Sequence, residues 1–300
     1  MTLAAANFGL LPSFTVIGLV LGGIFALAAI GLVLIYRVSG VLHFGHGAVG
    51  MFATFIAYQV AVRWHLPAAL GLLAAVVAGG ALGYVIERFT IRPLRNRPAL
   101  TKVVVTIGWL LVLQTAAGRI WGNTAYHRPV ELVPRTGFKL PLLHLVIGYD
   151  QLTTFLVALV LALGIAALLR WTTLGISMRA VADDPDSARL WGVNVNLVTA
   201  ASWIVGSAMA AVAGVLITPM INFTTFALTL IVIDAFTAAL IGRLASLPLT
   251  VVGAILLGLA QTYPRAFVSN AGMGEVVTFG LVLATLAVLF RPGAERVRLA

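Results

Sequence analysis

Two histidines, His43 and His46, lie three residues apart in the glycine-rich segment HFGHG, between two long apolar stretches. This spacing places both side chains on one helical face, where they could bind a metal ion, contact a substrate, or satisfy backbone groups released at a bend. The sequence supplies no cysteine and no nearby carboxylate to complete a metal site. We therefore predict no metal and no cofactor. Two alternatives remain: a membrane-embedded bend, in which the imidazoles satisfy freed backbone groups or contact substrate, and a plain interfacial loop.

Asp234 is the only acidic residue well inside a predicted apolar span. A carboxylate at a bilayer centre costs about 2.5–3.5 kcal/mol on insertion scales, so a buried partner or an aqueous cavity is expected beside it. Arg243 lies nine positions further on, too far to pair along one continuous helix. Gln114 is a neutral polar residue in another span that could bond substrate or a neighbouring helix. The candidate substrate pathway is therefore His43, His46, Gln114 and Asp234.

The motifs of common hydrolases and nucleotide-binding proteins are missing from the sequence. Neither Lys102 nor Lys139 follows the glycines of a phosphate-binding loop, and there is no G-x-S-x-G or H-E-x-x-H motif. The sequence therefore favours transport or conduction over catalysis, without ATP binding by this chain.

Composition places most of the chain in a lipid bilayer. Of the 300 residues, 61% are hydrophobic and 9% charged, and the mean hydropathy is +1.07. Soluble domains contain about 45–50% apolar residues. We predict an all-α, polytopic membrane protein with eight or nine transmembrane helices, some short, broken or re-entrant. The predicted spans are 14–36, 47–62, 67–87, 101–121, 151–170, 196–218, 227–242, 248–263 and 274–290.

The basic residues predict the orientation of these spans. The net charge of +10 comes mostly from short loops, which indicates membrane topology and not nucleic-acid binding. Basic residues cluster after the third span and after the last. We therefore predict an external N-terminus and a cytoplasmic C-terminus. Six basic residues then lie outside: Arg63, Arg119, Arg128, Arg135, Lys139 and Arg265.

Residues 1–300 are predicted to form a single transmembrane domain with one large external loop, at 122–150. Pro129, Pro134 and Pro141 discourage a long helix in that loop. Small residues recur at helical spacing within the spans and predict close helix packing. They include Gly18, Gly22, Gly79, Gly83, Gly206, Ala210 and Gly214.

A polar segment interrupts the apolar pattern at residues 171–195 and is expected on the cytoplasmic side. Asp184 can cap a helix, Pro185 suits its first position, and Gly192 can end it in a left-handed conformation. The segment therefore reads as helix, break, helix. Leu174, Met178 and Val181 form an apolar ridge that could dock in a partner's groove. An ordinary helical loop is the alternative.

Four stretches of the sequence resemble the H-type permease subunit of branched-chain amino acid ABC importers. They are GLVLIYRVSGVLHFGHGAVGMFATFIAY at 31–58, IERFTIRPLRNRPALTKVVVTIGWLLVLQ at 86–114, MRAVADDPDSARLWGVNV at 178–195 and FTAALIGRLASLPLTVVGAILLGLAQ at 236–261. The last departs from the family pattern, because Arg243, Leu244 and Ala245 stand where a glycine-rich run is expected. That departure puts local geometry and substrate choice in doubt.

The resemblance implies a permease that imports branched-chain or other hydrophobic amino acids by alternating access. Its partners would be a second homologous permease subunit, two cytoplasmic ATP-binding subunits and an external solute-binding protein, in a bacterial or archaeal inner membrane. Some relatives carry urea or short amides. An ion-coupled secondary transporter or channel is the rival class. The implied ATPase-coupling residues are Leu174, Gly175, Met178, Arg179, Val181, Asp183, Asp184, Pro185, Arg189, Leu190 and Gly192.

Overall fold

The structure is a computed structural model that describes residues 11–122, 127–133, 136–140, 145–221, 223–266 and 273–289. Within these ranges each of the nine predicted spans corresponds to a helix. In chain order the helices are α1 (Leu11–Ser39), α2 (His46–Tyr58), α3 (Ala68–Ile86), α4 (Ala99–Trp121), α5 (Tyr149–Trp171), α6 (Thr173–Asp183), α7 (Pro185–Leu190), α8 (Val195–Ile217), α9 (Thr225–Ile241), α10 (Leu247–Thr262) and α11 (Met273–Leu289).

Helix length divides the spans into two groups. Among the described residues, five apolar helices are long enough to cross a bilayer. They are α1, α4, α5, α8 and the continuous stretch Ala68–Ile91, which consists of α3 and its π-helical extension. Helices α9 and α10 have only 17 and 16 residues, as the sequence predicted. The all-α, multi-pass membrane class is confirmed.

Two spans end in π-helical turns, which the sequence analysis did not predict. Gln59–Arg63 extends α2 and Glu87–Ile91 extends α3. A π-turn spaces its backbone hydrogen bonds five residues apart and widens the helix locally. In the second turn this spacing brings Arg92 next to Glu87.

Helices α1 and α8 form the centre of the bundle. Each is 78% buried over its most apolar window, whereas α4 is 17% buried and α5 11%. Helix α1 packs against α5, α8, α9 and α10, and α8 also packs against α2 and α3. The outward faces of α4 and α5 expose leucines such as Leu111 and Leu163. Apolar surface of this extent faces lipid in a membrane protein.

Glycines allow the central helices to approach at backbone distance, which confirms the predicted packing. A Cβ placed on Gly31 would lie 2.5 Å from the carbonyl oxygen of Gly206, and one on Gly206 would lie 2.6 Å from that of Gly31. Gly22 meets the backbone of Ile255 in the same way, at 2.7 Å. Such contacts replace the hydrophobic driving force that spans lack in lipid.

The predicted external loop contains a small β-hairpin, an exception to the all-α pattern. Strand β1 (Gly137–Leu140) pairs antiparallel with β2 (Leu145–Gly148), and Gly137 lies opposite Gly148. Helix α5 follows directly at Tyr149. The prolines correctly predicted the lack of a long helix in the described part of the loop, but four-residue strands have too little alternation to be recognised in sequence.

Candidate coupling surface and substrate cavity

The segment 171–195 has the helix, break, helix structure that its sequence predicts. Helix α6 is capped by Thr172, whose hydroxyl accepts a hydrogen bond from the Gly175 amide at 3.1 Å. Asp184 caps α7 by accepting from the Asp186 amide at 2.9 Å, with Pro185 at the first helical position. Gly192 ends α7 with φ of +81°, a conformation that favours glycine.

The apolar ridge of α6 faces inward, which corrects the prediction that it docks on a partner. Met178 is 1% exposed and Val181 is 2% exposed. Both pack against the ends of α1 and α8, in a cluster that includes Leu34 and Val198. Leu174 is half-buried against the same cluster. The ridge therefore attaches α6 to its own bundle.

Gly175 has a packing role in this attachment. A Cβ at this position would collide with the backbone of Leu168 and Leu169 at the end of α5. The close approach folds α6 back against α5, which turns its ridge toward the bundle.

The exposed surface of the segment carries a different set of residues. Arg179, Asp183, Asp184 and Pro185 face outward on α6 and the start of α7. Leu190 is 89% exposed and Trp191 is 88% exposed, at the tip of the segment. Leu190 was among the predicted coupling residues, whereas Trp191 was not. The signal was present, since an adjacent leucine and tryptophan are unusual in an otherwise polar loop.

Short-range interactions order the charged groups of α7. Arg189 donates from Nη1 to Asp186 Oδ1 at 2.8 Å, an exposed pair on one helical face. Ser187 donates its hydroxyl to Asp184 Oδ2 at 2.5 Å. This hydroxyl, together with the backbone amides of Asp186 and Ser187, lowers the pKa of Asp184 below its ordinary value of 3.8. Asp184 is therefore anionic at neutral pH.

The basic connection between α3 and α4 packs against the start of α8. Arg92 binds the buried carboxylate of Glu87 through two nitrogens, at 2.8 and 3.1 Å. Arg92 also donates to the backbone carbonyl of Asn196 at 3.2 Å, and Arg95 donates to the Asn196 side chain at 3.2 Å. In the sequence, Arg92 and Arg95 belong to the basic cluster after the third span, which indicated topology only. The contact could not be foreseen, because it depends on the π-turn and on residues about 100 positions apart.

Asp234 has the buried partners that its position in a span predicts. Gln261 on α10 donates from Nε2 to Asp234 Oδ1 at 2.7 Å, and the Thr278 hydroxyl on α11 donates to the same oxygen at 3.1 Å. Gln261 also donates to Thr278 at 2.5 Å. The three side chains join three helices through one polar network.

A large cavity adjoins this network. It has a volume of about 950 Å³ and is bounded by α1, α9, α10, α11 and the end of α8. Asp234, Gln261 and Thr278 lie on its wall with Glu275, and the remaining lining is apolar and includes Phe25, Phe226 and Phe279. A site with apolar walls and a few convergent polar groups is typical of small-molecule binding.

The two histidines are packed inside the bundle and do not line this cavity. His46 forms a hydrogen bond through Nε2 with the carbonyl oxygen of Ala28 at 3.0 Å. The ring of His43 lies 4.7 Å from that of Trp203, and neither of its nitrogens has a hydrogen-bond partner among the described residues. A cavity beside His46 has a volume of about 10 Å³, room for one water molecule.

The structure does not bring the four predicted pathway residues together. Gln114 is half-buried on α4, a peripheral helix, and is absent from the walls of the Asp234 cavity. Within the described ranges no three histidine, aspartate or glutamate side chains form a group that could hold a metal ion.

The bundle of apolar helices, with its largely apolar cavity and its helical segment at one end, is a multi-pass membrane fold with room for a small molecule. Residues 14–286 match the profile of the family described as "Branched-chain amino acid transport system / permease component". The chain therefore belongs to this family. It is a multi-pass inner-membrane subunit of an ABC importer. ATP hydrolysis is carried out by partner ATPases, and members of the family also work with solute-binding partners.

The sequences of individual relatives align with nearly the whole chain. The high-affinity branched-chain amino acid transport system permease protein LivH of Escherichia coli K12 is 31% identical, over 93% of this chain and 96% of LivH. The corresponding BraD protein of Pseudomonas aeruginosa is 34% identical, over 92% of each chain. A probable LivH of Methanocaldococcus jannaschii is 27% identical, over 90% of this chain.

A solved structure shares the fold. PsaBC from Streptococcus pneumoniae, solved in complex with Fab, aligns over 98% of both chains with a TM-score of 0.55. Its sequence is 16% identical, so the similarity concerns the fold alone.

Proposed function

We propose that this permease imports branched-chain or other hydrophobic amino acids. The relatives LivH and BraD are named for branched-chain amino acid transport. The observation that carries the proposal for this chain is the cavity of about 950 Å³ beside Asp234. Its apolar walls suit an aliphatic side chain, and the carboxylate suits the α-ammonium group of an amino acid.

The proposed orientation has the N-terminus outside and the C-terminus in the cytoplasm. Helix α8 then runs outward, and the Asp234 cavity extends from the external ends of α8 and α9 to mid-membrane. The segment 171–195 lies at the opposite, cytoplasmic end. A substrate released by an external binding protein would enter the cavity from the correct side. The 13 basic residues on the inside support this arrangement.

The proposed complex contains this chain, a second homologous permease, two ATP-binding subunits and one solute-binding protein. The exposed face of the segment 171–195 docks on an ATP-binding subunit through Leu190, Trp191 and the charged residues Arg179 and Asp183. Exposed aromatic and aliphatic pairs are typical anchors of protein interfaces. The buried ridge at Met178 and Val181 transmits movement of the docked segment to α1 and α8, since it packs on both.

ATP drives transport by favouring one of two arrangements of the ATP-binding pair. A ligand can shift a conformational equilibrium only by its differential affinity for the two states. In this proposal the docked segment moves with the ATP-binding subunit and tilts α1 relative to α8. That movement closes the Asp234 cavity on one side and opens it on the other.

We assign His43 and His46 to the helix bend and not to substrate contact. His46 satisfies the Ala28 carbonyl, and the space beside it is too small for an amino acid. This assignment narrows the substrate pathway to Asp234 and the walls of its cavity.

Uptake by the complete complex in liposomes tests the proposed function. We expect ATP-dependent accumulation of leucine, isoleucine and valine, with urea and short amides excluded. Selective uptake of urea would contradict the substrate class. Uptake that follows a proton or sodium gradient without ATP would contradict the importer mechanism as a whole.

A further inference from the structure

A basic cavity lies between part of the segment 171–195 and the helix bundle. Its volume is about 340 Å³, and the four cations Arg37, Arg92, Arg95 and Lys102 line it. All four side chains are half-buried. The segment contributes Val181, Ala182 and Pro185 to the opposite wall. Four cations on one half-buried cavity form an unusual concentration of charge in a chain with 9% charged residues.

The positive charge of this cavity is only partly neutralised. Glu87 is the one acidic residue on its wall in the described chain, and Arg92 pairs with it in a bidentate ion pair. Arg95 donates to the neutral side chain of Asn196 and interacts at longer range with the carboxylates of Asp186 and Glu87. Neither Arg37 nor Lys102 forms an ion pair with a described residue. Three of the four cations therefore line the cavity without a direct ion pair to a described residue. This arrangement is suited to a phosphate group, whose oxygens accept several charge-assisted hydrogen bonds.

A second cavity continues from the first along the membrane-facing surface. It has a volume of about 430 Å³, and Arg92 and Asn196 line both cavities. From there it follows Tyr84 on α3 and Leu197, Ala201 and Ile204 on α8. Leu197 is 60% exposed and Ile204 38% exposed, so this groove opens toward the surface that lipid covers.

We propose that the two cavities bind one anionic phospholipid of the cytoplasmic leaflet, with its phosphate in the basic cavity and one acyl chain along the groove of α3 and α8. Basic pockets at the cytoplasmic ends of transmembrane helices bind anionic headgroups elsewhere. The adjoining apolar groove distinguishes a lipid from free phosphate, because only a lipid fills both cavities. The proposal rests on the cytoplasmic placement of the segment 171–195 in the proposed function.

The bound lipid would connect the segment to the bundle. Its headgroup would contact the basic connection on one side and the turn between α6 and α7 on the other. Occupancy should therefore reduce the mobility of the α6–α7 turn and make ATP-driven transport depend on anionic lipid.

Native mass spectrometry of the delipidated full-length chain tests the site directly. We expect saturable binding of one phosphatidylglycerol, with phosphatidylcholine bound at least about tenfold more weakly. The double variant Arg37→Gln with Lys102→Gln should weaken phosphatidylglycerol binding about tenfold or more. Arg88→Gln with Arg97→Gln is the matched control, because both arginines are exposed on the same connection but do not line the cavity. That control should bind as the unmodified chain does.

Several results would overturn the proposal. Equal losses in both double variants would indicate nonspecific surface attraction, and displacement of lipid by millimolar inorganic phosphate would assign the site to a free anion. Loss of ATP-binding-subunit association by the cavity variant in pure phosphatidylcholine would assign the cations to that subunit. If the variant Arg37→Gln with Lys102→Gln does not fold, two single variants replace it: Lys102→Gln in the basic cavity and Ala201→Trp in the groove. Each should weaken phosphatidylglycerol binding. Binding at the wild-type level by both would refute the site.

Lipid binding and transport are measured separately, so the two proposals can fail independently. Saturable phosphatidylglycerol binding with no amino acid uptake would leave the lipid site intact and contradict the transport function. Amino acid uptake that is equal in phosphatidylcholine and in phosphatidylglycerol liposomes would contradict the proposed lipid dependence only.

Discussion

Gln261 donates its side-chain amide to Asp234 Oδ1 at 2.7 Å and so links α10 to the half-buried carboxylate in the middle of α9. Thr278 on α11 bonds the same oxygen. These contacts reduce the penalty for a charge at this depth, because charge-assisted hydrogen bonds are stronger than neutral ones. They also fix one carboxylate oxygen on the wall of the cavity of about 950 Å³, where it can take part in substrate binding.

The charge of Asp234 is predicted to be essential for substrate affinity. Asp234→Asn keeps a side-chain oxygen that can accept hydrogen bonds from Gln261 and Thr278, but it removes the negative charge. Since hydrogen bonds to charged groups contribute about 1.5–3 kcal/mol, uptake of leucine at low concentration should fall about tenfold or more. Uptake by reconstituted complex measures this effect. Glu275→Gln removes a charge at the exposed rim of the same cavity and should change uptake little. An unchanged KM in Asp234→Asn would refute the assignment.

Close contact between α1 and α8 is predicted to be essential for stability. Gly31→Ala places a methyl group 2.5 Å from the carbonyl oxygen of Gly206, so the helices must separate. Overpacking of this kind costs about 1–3 kcal/mol and should lower the midpoint of thermal unfolding in detergent. Gly164→Ala on α5 is the control, because a Cβ there meets nothing within 4 Å. Equal midpoints for the two variants would show that α1 and α8 are not in backbone contact.

Leu190 and Trp191 are predicted to contribute to docking and not to stability. Both side chains are almost fully exposed, so the double alanine variant should unfold at the wild-type temperature while association with the ATP-binding subunit and uptake fall at least about tenfold. Trp64→Ala removes an exposed tryptophan at the predicted external end and should preserve association. A pull-down with the purified ATP-binding subunit distinguishes these outcomes, and full binding by the double variant would exclude this docking surface.

Met178 is predicted to contribute to the stability of the segment 171–195, unlike the exposed Leu190 and Trp191. Met178→Ala leaves a cavity under α6 and should destabilise the packing of the segment by about 2–5 kcal/mol. Proteolysis within residues 171–195 should accelerate as the segment detaches from Leu34 and Val198. Ile176→Ala, on the exposed face of the same helix, should leave the cleavage rate unchanged. Equal cleavage rates in the two variants would contradict the inward orientation of the ridge.

The order of α7 is predicted to depend on pH through Asp184. Because its folded pKa lies below 3.8, the carboxylate stabilises α7 fully above that value, and the contribution is lost as pH falls through the folded pKa. Hydrogen exchange of residues 184–192, corrected for the intrinsic pH dependence, should accelerate in that acidic range. Asp184→Asn should remove the pH dependence, because asparagine caps helices without titrating. The same acid transition in that variant would assign it to another group.

The sequence predicted elements whose determinants are local. Apolar length located the helices, and Asp184, Pro185 and Gly192 located the ends of α7 because capping depends on a few adjacent residues. The direction of the Met178 ridge was predicted wrongly. Spacing shows that a helix has an apolar face but does not show whether that face meets the bundle or a partner.

Contacts between distant residues could not be predicted from the sequence. Asp234 was expected to have a buried partner, yet nothing in the sequence selects Gln261 over other polar residues in the spans. The Glu87–Arg92 pair depends on a π-turn, since residues five apart do not face each other on a regular helix. The weak hairpin from Gly137 to Gly148 carries no pattern that distinguishes it from a loop.

Crosslinking from position 186 tests the docking of the segment 171–195 most directly, because this exposed position is not one of the proposed docking anchors. The natural chain has no cysteine, so Asp186→Cys supplies its single thiol for a photoactivatable crosslinker in the assembled complex. We expect a covalent product with the ATP-binding subunit, because both the thiol and that subunit lie on the cytoplasmic side of the membrane. A product with the external solute-binding protein, or labelling of this thiol by a membrane-impermeant reagent in intact cells, would contradict it.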